Sequence, residues 1–483
     1  MKRKYKVLIV LISIIISLIS YFFILDGYYS IDLERITDQG YFSYAIKDAY
    51  IRDGRLFLAL IFLFVAFINP SLKILYIISL ILAIIILSFA VLEIYKIMEH
   101  YKESKTKKDK IIKFIISYIT IFTFTQIDAM QFVEAFALAT SVLLFIISVK
   151  KTIIERKTKL GFIIALIGVF FYQGTISIYI VMSVLMCFLE NKKFSKQFFK
   201  DLFKCALIII LVTILNLVTA LILPELIGLE KTPRLLEDKI IVILNNMNYF
   251  KGFIFESVGL FPNYLWVCYI LICLIIMSIY SVKTKKIDKY VNILFLIITS
   301  IISVFPYLII QFGATGRILG AWGQMIGTLM VYMYCETGIF QEKNIYMKLL
   351  TITLITYFII NILNTIRVTK IYDMSNKLDI EFSNIIKSQV EEYKEKGEEI
   401  KSFSIWYVQD GRYREKYKNI KDITTSRYFL GIYNSQTLKY YTGIDLVKEY
   451  KEQIFYRANF DFYNDEEIQT KKIEDTLYIL VNL

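Results

Sequence analysis

The chain is 483 residues long, 57% hydrophobic, with a mean hydropathy of +0.55 and a formal net charge of +13. A soluble globular protein is nearer 45–50% apolar, so these values exclude an ordinary soluble enzyme. The lysines lie between apolar runs, so the positive charge is read as orientation charge on membrane loops and no nucleic-acid partner is expected.

The first apolar run, Lys6 to Leu25, leads straight into Asp26 with no small-x-small cleavage site. It is therefore expected to be retained as a spanning helix. Ten further spans are expected at about 72–97, 112–126, 133–149, 160–172, 175–190, 203–223, 264–282, 291–310, 318–335 and 348–366. A run of about 20 residues is needed to cross roughly 30 Å of hydrocarbon. The run Leu56 to Ile68 is too short and ends at Asn69-Pro70, so it is expected to lie along the membrane.

Loop charge fixes the orientation. With 56–68 not crossing, the loops 2–6, 96–113, 150–159, 192–204, 283–289 and 343–348 share one side and carry about 27 Lys and Arg. The opposite connecting loops carry about nine: Arg35, Lys47, Arg52, Arg55, Lys231, Arg234, Lys239, Lys251 and Arg317. Basic loops stay in the cytoplasm. The expectation is an α-helical multipass protein of the cytoplasmic membrane, with about eleven transmembrane helices and a cytoplasmic N-terminus. Residues 1–366 form the transmembrane domain, with a long first outer loop at 26–55, and 367–483 a small C-terminal extracytoplasmic α/β domain. In that tail, Asn376 to Lys401 reads as an amphipathic helix, and Ser402–Val408 and Thr476–Leu483 as strands.

The five cysteines, 187, 205, 268, 273 and 335, fall in or beside apolar runs, so no structural disulfide is expected. The single histidine, His100, excludes a His-based metal site. No metal site is assigned, although Asp and Glu together can hold a divalent ion, and no other cofactor is called for.

Candidate chemistry collects on the outer side. The first loop carries Asp32, Glu34 and Arg35, then Asp38, Asp48 and Arg52-Asp53-Gly54-Arg55. Two carboxylates two residues apart can supply a general base and its orienting partner, and arginines grip phosphate in two-pronged fashion. Asp38 and Asp48 are expected to be solvated. Gln126, Asp128, Gln131 and Glu134 interrupt a helix hairpin, and Tyr172-Gln173-Gly174 punctuates two apolar helices with groups suited to sugar hydroxyls. Gln311 to Arg317 places an arginine at an expected helix N-terminus, where phosphate is favoured. The plain alternatives are wet loops, hairpin caps, an ordinary turn and a snorkelling arginine. No Walker loop, dinucleotide glycine fingerprint or large cytoplasmic domain is present, which favours a lipid-linked substrate over a soluble nucleotide. Trp406 and the tail tyrosines 407, 413, 417, 440 and 441 are read as acceptor-facing rings, or else as a small core.

The order of these motifs resembles the Gtr-type O-antigen glucosyltransferases, multipass bacterial enzymes of the GT-C architecture. The resemblance covers nearly the whole chain. It rests on Asp32, Glu34 and Arg35 after the first helix, Gly54-Arg55 opening a short helix, Tyr172-Gln173, Gly316-Arg317 and an outer C-terminal domain. It implies transfer of a glucose-like sugar from undecaprenyl phosphate to a cell-surface glycan. On that reading Asp32 or Glu34 is the catalytic base, Arg35, Arg55 and Arg317 hold the donor phosphate, and Asp128, Tyr172, Gln173 and Gln311 contact sugar or acceptor. A base-assisted single displacement predicts inversion. The rival readings are a flippase or transporter of lipid-linked sugars, a glycan polymerase or ligase, and a non-catalytic scaffold. The near absence of charge inside the helices and of any internal repeat speaks against transport.

Overall fold

The computed structural model describes residues 3–229, 260–262, 264–304, 317, 319–340, 344–408, 411–423, 426–450, 454–455, 459–462 and 466–483. The chain divides into two compact units: Met1–Gly27 with Gln39–Val368, and Tyr28–Asp38 with Thr369–Leu483.

The larger unit is helical. Its first ten helices are α1 Arg3–Ser20, α2 Ile31–Ser43 (which begins in the smaller unit), α3 Leu56–Ile68, α4 Leu72–Tyr101 and α5 Lys107–Ile121, then α6 Phe124–Met130, α7 Ala135–Ile153, α8 Thr158–Phe171, α9 Ile176–Asn191 and α10 Lys196–Leu226. Leu265–Thr284, Ile287–Ile302, Gly320–Gly323, Met325–Tyr332 and the start of Ile345–Glu395 follow. Long apolar runs make most of these helices, and side-chain caps open several of them. The Ser71 hydroxyl accepts from Ile74 N, Ser195 from Phe198 N, and Thr106 and Asp109 form a reciprocal capping box.

Among the described residues six helices are long and apolar enough to cross a membrane, and the α5–α6 pair, bent by 53°, makes a seventh. The expected count of eleven is reached only if shorter or interrupted segments are added. α8 has 14 residues and Ile287–Ile302 has 16. The segment expected at 318–335 is broken at Gln324 and ends in a π turn at Met333–Thr337. α3 has 13 residues, which rise about 20 Å, and closes on Asn69 at φ 51°. That is short of the bilayer core, as its composition implied.

Burial separates the helices by environment. α10 leaves Leu207, Ile210, Leu211, Ile214, Leu215 and Val218 exposed, a surface suited to lipid tails and far too apolar for water. α9 is enclosed, with Ile178, Val181, Met182 and Leu185 buried. Many of the hydroxyls inside the bundle are satisfied within their own helix. Ser13, Ser88 and Thr120 donate to the carbonyls of Ile9, Ile84 and Ile116, each four residues back. A smaller set crosses between helices: Tyr76 donates to Met130 O at 3.0 Å, Ser148 to Gly161 O at 2.7 Å, and Ser141 to Tyr172 O at 2.9 Å. Charges pair at the helix ends, as Lys113 does with Glu99 at 2.6 Å, Arg156 with Asp201 at 2.7 Å and Lys289 with Glu336 at 2.8 Å.

The smaller unit holds a mixed four-stranded sheet of order β2-β1-β4-β3, with β1 Ser402–Val408, β2 Val447–Lys448, β3 Ile468–Ile473 and β4 Thr476–Asn482. β1 is parallel to β2 and β4, and β3–β4 is a hairpin. The two strands read from sequence are β1 and β4. The amphipathic stretch from Asn376 does not begin a new helix, because Ile345–Glu395 runs through it unbroken. Trp406 packs edge-on to Phe455 and Phe462 beside buried Tyr478 and Leu480, so it belongs to the small core.

Charge distribution and the length of α3 together predict sidedness. Single cysteines placed at Pro70 and Ser104, in a background lacking native cysteines, will be labelled by an impermeant reagent from outside at 70 and from inside at 104. Outside labelling at 104 would overturn the topology.

Candidate functional site

The first candidate cluster lies in the larger unit, where the first loop turns into α3. Gly54 takes φ 74° there, and its carbonyl accepts from Asn216 Nδ2 of α10 at 2.8 Å. A Cβ at this glycine would lie 2.9 Å from that amide nitrogen, so backbone conformation and close approach both require glycine. The turn delivers Arg55 to a nearly buried position. Its guanidinium lies 3.2 Å from Asp53, 3.7 Å from Glu134 and 4.7 Å above the Tyr172 ring. Gln173 Nε2 donates to Asp53 O at 3.1 Å and ties the Tyr-Gln turn to the same loop.

Arg317 completes this cluster. Its backbone N–H donates to Asp128 Oδ2 at 3.0 Å, and its guanidinium lies over the Phe132 ring at 4.0 Å. Asp128 Oδ1 accepts from Gln131 at 2.7 Å, so the carboxylate organises the α6–α7 connection as well as Arg317. Glu134, Tyr172 and Arg317 then border one small pocket with Phe132 and Leu138. Of the residues named from sequence, Tyr172 and Arg317 border this pocket, while Arg55 lies over the Tyr172 ring, Gln173 follows it in the chain and Asp128 holds the Arg317 amide. Gln311 lies outside the described residues.

Asp53, Glu134 and Asn216 were not assigned roles from sequence. Their signals were present: carboxylates flanking Gly-Arg and closing the interrupted hairpin, and a lone asparagine in the apolar run of α10. Asp53 and Glu134 change the electrostatics. Arg55 lies within reach of two carboxylates, while Arg317 gives its backbone N–H to Asp128 and is among the residues that border the pocket.

The second cluster lies in the smaller unit. Asp32, Glu34 and Arg35 all sit on α2. Positions two apart on a helix are about 200° apart around its axis, whereas positions three apart share a face. By that spacing positions 32 and 35 share a side of α2 and position 34 lies on another. Glu34 accepts from Arg427 Nε at 3.3 Å across 393 positions of sequence. Arg427 is only 3% exposed, also pairs with Asp379 at 3.7 Å, and lies over the Tyr29 ring at 4.4 Å. Tyr29 stacks on Tyr440 at 4.0 Å and meets Tyr441 edge-on. Asp379 further accepts from Ser426 Oγ and the Arg427 and Tyr428 amides, at 3.0–3.2 Å. Burial raises the Glu34 pKa above its ordinary value, against the pull of Arg427, Arg35 and Lys448. Asp38, by contrast, is exposed and accepts from Gln436 at 3.2 Å. No sequence pattern announces Arg427, because its partners are distant in the chain.

Among the described residues no three His, Cys, Asp or Glu side chains gather as metal ligands would. The first cluster offers a cation and a carboxylate beside an aromatic wall; the second fixes one carboxylate of the first loop. A sequence-family profile described as "Glucosyl transferase GtrII" matches residues 21–334, which takes in every element of the first cluster. No curated protein and no solved structure matches the chain.

Removing Arg427 leaves two largely desolvated carboxylates without their cation. Arg427→Met will destabilise the smaller unit by about 3–5 kcal/mol, the usual cost of breaking a buried ion pair from one side. Arg427→Met/Asp379→Asn will recover part of it. Limited proteolysis across a denaturant series measures this; wild-type resistance in the single variant would refute the pairing.

Proposed function

The chain belongs to the glucosyl transferase GtrII family, and from that premise we propose that it transfers glucose from a polyprenyl-phosphate donor to a surface-glycan acceptor. The acceptor hydroxyl attacks C1 of the donor sugar as the bond from C1 to the phosphate oxygen breaks. The proton passes to a carboxylate and the lipid phosphate leaves. A single displacement of this kind inverts the anomeric centre.

The observation that carries the proposal is the pocket bordered by Glu134, Tyr172 and Arg317 beside the buried Arg55. The leaving phosphate gains charge as the bond breaks, and fixed cations stabilise it most in a dry site. Arg317 is the residue to hold the phosphate. Arg55, balanced by Asp53 and Glu134, fixes the Tyr172 wall and adds its field from behind. Tyr172, Gln173 and Asp128 shape the sugar-facing side. The absence of a nucleotide-binding motif from the sequence supports a lipid-linked donor over a nucleotide sugar.

Asp32 is assigned as the base and Glu34 as the residue that fastens α2. Glu34 is engaged by Arg427, while the Asp32 position shares its helix face with Arg35. The GT-C assignment and the outer-face acceptor belong to the same proposal; they follow from the loop charges and the motif order.

In a purified assay with synthetic polyprenyl-phosphate glucose, Asp32→Asn will lower transfer by about 10²–10⁴-fold, the usual contribution of a general base. Arg317→Lys will also lower it, because lysine lacks the two-pronged grip. Rapid transfer from a nucleotide sugar without lipid would sink the donor assignment.

Acidity separates the two first-loop carboxylates. Arg427→Gln removes a cation that lowers the Glu34 pKa, so that pKa rises further. Were Glu34 the base, the acid limb of the rate profile would move to higher pH. With Asp32 as base the limb stays in place; Arg427→Gln, which also loses the Asp379 pair, costs at least as much activity as Glu34→Gln, and the double variant loses little more than Arg427→Gln alone, since the Glu34 contact is already broken there. A shifted limb, with Glu34→Gln inactive but folded, would exchange the roles.

A further inference from the structure

A second polar group lies inside the larger unit, uncharged and separate from the arginine cluster. Two interrupted helices meet there. α5 gives way to α6 across Phe122–Thr123, and Gln324 separates Gly320–Gly323 from Met325–Tyr332. Glycine lets the segments close. A Cβ at Gly320 would lie 2.9 Å from Ile178 Cδ1 and 3.9 Å from Gln126 Nε2, and one at Gly323 would strike the hydroxyls of Thr123 and Thr125.

Gln324 is fully buried, and neither end of its amide has a hydrogen-bond partner among the described residues. Gln126 Oε1, Ser177 Oγ, Trp266 Nε1, Tyr357 Oη and Asn361 Oδ1 are in the same state, on side chains no more than 5% exposed. Contacts tie several of them to the two breaks. Asn361 Nδ2 donates to Phe122 O at 2.7 Å, at the break of α5. Trp266 lies 6.1 Å from both Trp322 and Phe124, Phe124 lies 5.0 Å from Phe261, and Phe261 lies 6.1 Å from Tyr357.

Buried polar atoms are nearly always paired, and an apolar bundle offers no bulk water to replace a missing partner. Seven such atoms on six side chains of the segments around the two breaks call for a polar guest. None of the six is charged, so phosphate is the wrong guest. The set mixes donors (Gln324 Nε2, Trp266 Nε1, the two hydroxyls) with acceptors (the amide oxygens), which matches hydroxyl groups, since each hydroxyl both gives and accepts. The indoles of Trp266 and Trp322 add apolar faces of the kind that pack on a sugar ring.

We infer that this cluster is a neutral sugar subsite, in which Gln324 and Gln126 hydrogen-bond hydroxyls of the glucosyl unit carried by the donor. It rests on the donor reading above and assigns residues that the phosphate and base roles leave unused. The arginine cluster then holds the charged end of the donor, and the amides read the sugar.

The test uses the full-length protein with polyprenyl-phosphate glucose and its 2-, 3-, 4- and 6-deoxy analogues. Wild type will disfavour at least one analogue by about 10- to 100-fold in kcat/KM, the size of one lost hydrogen bond to a buried polar group. Gln324→Leu will raise KM for the parent donor by a similar factor and no longer distinguish that analogue. Gln126→Leu, read in the same way, covers the case in which the Gln324 variant does not fold. Thermal protection of wild type by parent and deoxy donors gives the same comparison without any variant. A wild type that does not use the lipid donor would remove the proposed function itself. A wild type that uses it, with unchanged KM and unchanged analogue preference in both variants, would mean that the amides hold only water, and would overturn this inference alone.

Discussion

No bulk water solvates the interior of an apolar helical bundle, so each polar group placed there must be answered by the protein itself, by an ordered water or by what the protein binds. Most features of the larger unit follow from that constraint. Backbone groups are consumed by long helices, and charges stay at helix ends, where Lys113 meets Glu99 and Arg156 meets Asp201. The places that depart from this rule are few: the Arg55 turn, the bend between α5 and α6, and the break at Gln324. All carry residues to which chemistry or recognition has been assigned above.

The arginine cluster sets cations beside carboxylates in a largely enclosed place. Arg55 on its own would be costly to bury, and Asp53 with Glu134 offsets that cost. The pair of carboxylates also limits how strongly Arg55 can attract an anion. Asp128 accepts from the Arg317 backbone amide, and the Arg317 guanidinium lies on the face of Phe132. The two arginines are thus held in different ways, a difference that loop composition does not express.

How much of this was legible in the sequence depends on the range of the interaction. Helices announce themselves through apolar runs, and the shortness of α3 through its 13 residues ending at Asn69-Pro70. β1 and β4 were visible as alternating runs, whereas the two-residue β2 carries too little pattern to be seen. The number of spans was overcounted relative to the long described helices, because hydropathy does not register a break such as that at Gln324. Among site residues, Arg55, Tyr172, Asp128 and Arg317 stood out as polar groups at apolar boundaries. The convergence of Glu34 with Arg427, 393 positions away, has no local signature. Nor does the side on which a helical residue falls: that α2 is a helix decides which of positions 32, 34 and 35 are neighbours.

The serine and threonine hydroxyls that bond back to their own helix have a consequence for how such a chain drifts over generations. Ser13, Ser88 and Thr120 spend their donors within one turn and specify nothing about a neighbour. Alanine can replace the two serines without removing a bond between helices. The bonds from Tyr76 to Met130, Ser148 to Gly161 and Ser141 to Tyr172 run between separate segments, and they record which turn of one lies beside which turn of the other. The registry of this bundle is therefore written in a small alphabet of crossing hydroxyls, while most of its polar letters are silent and free to change.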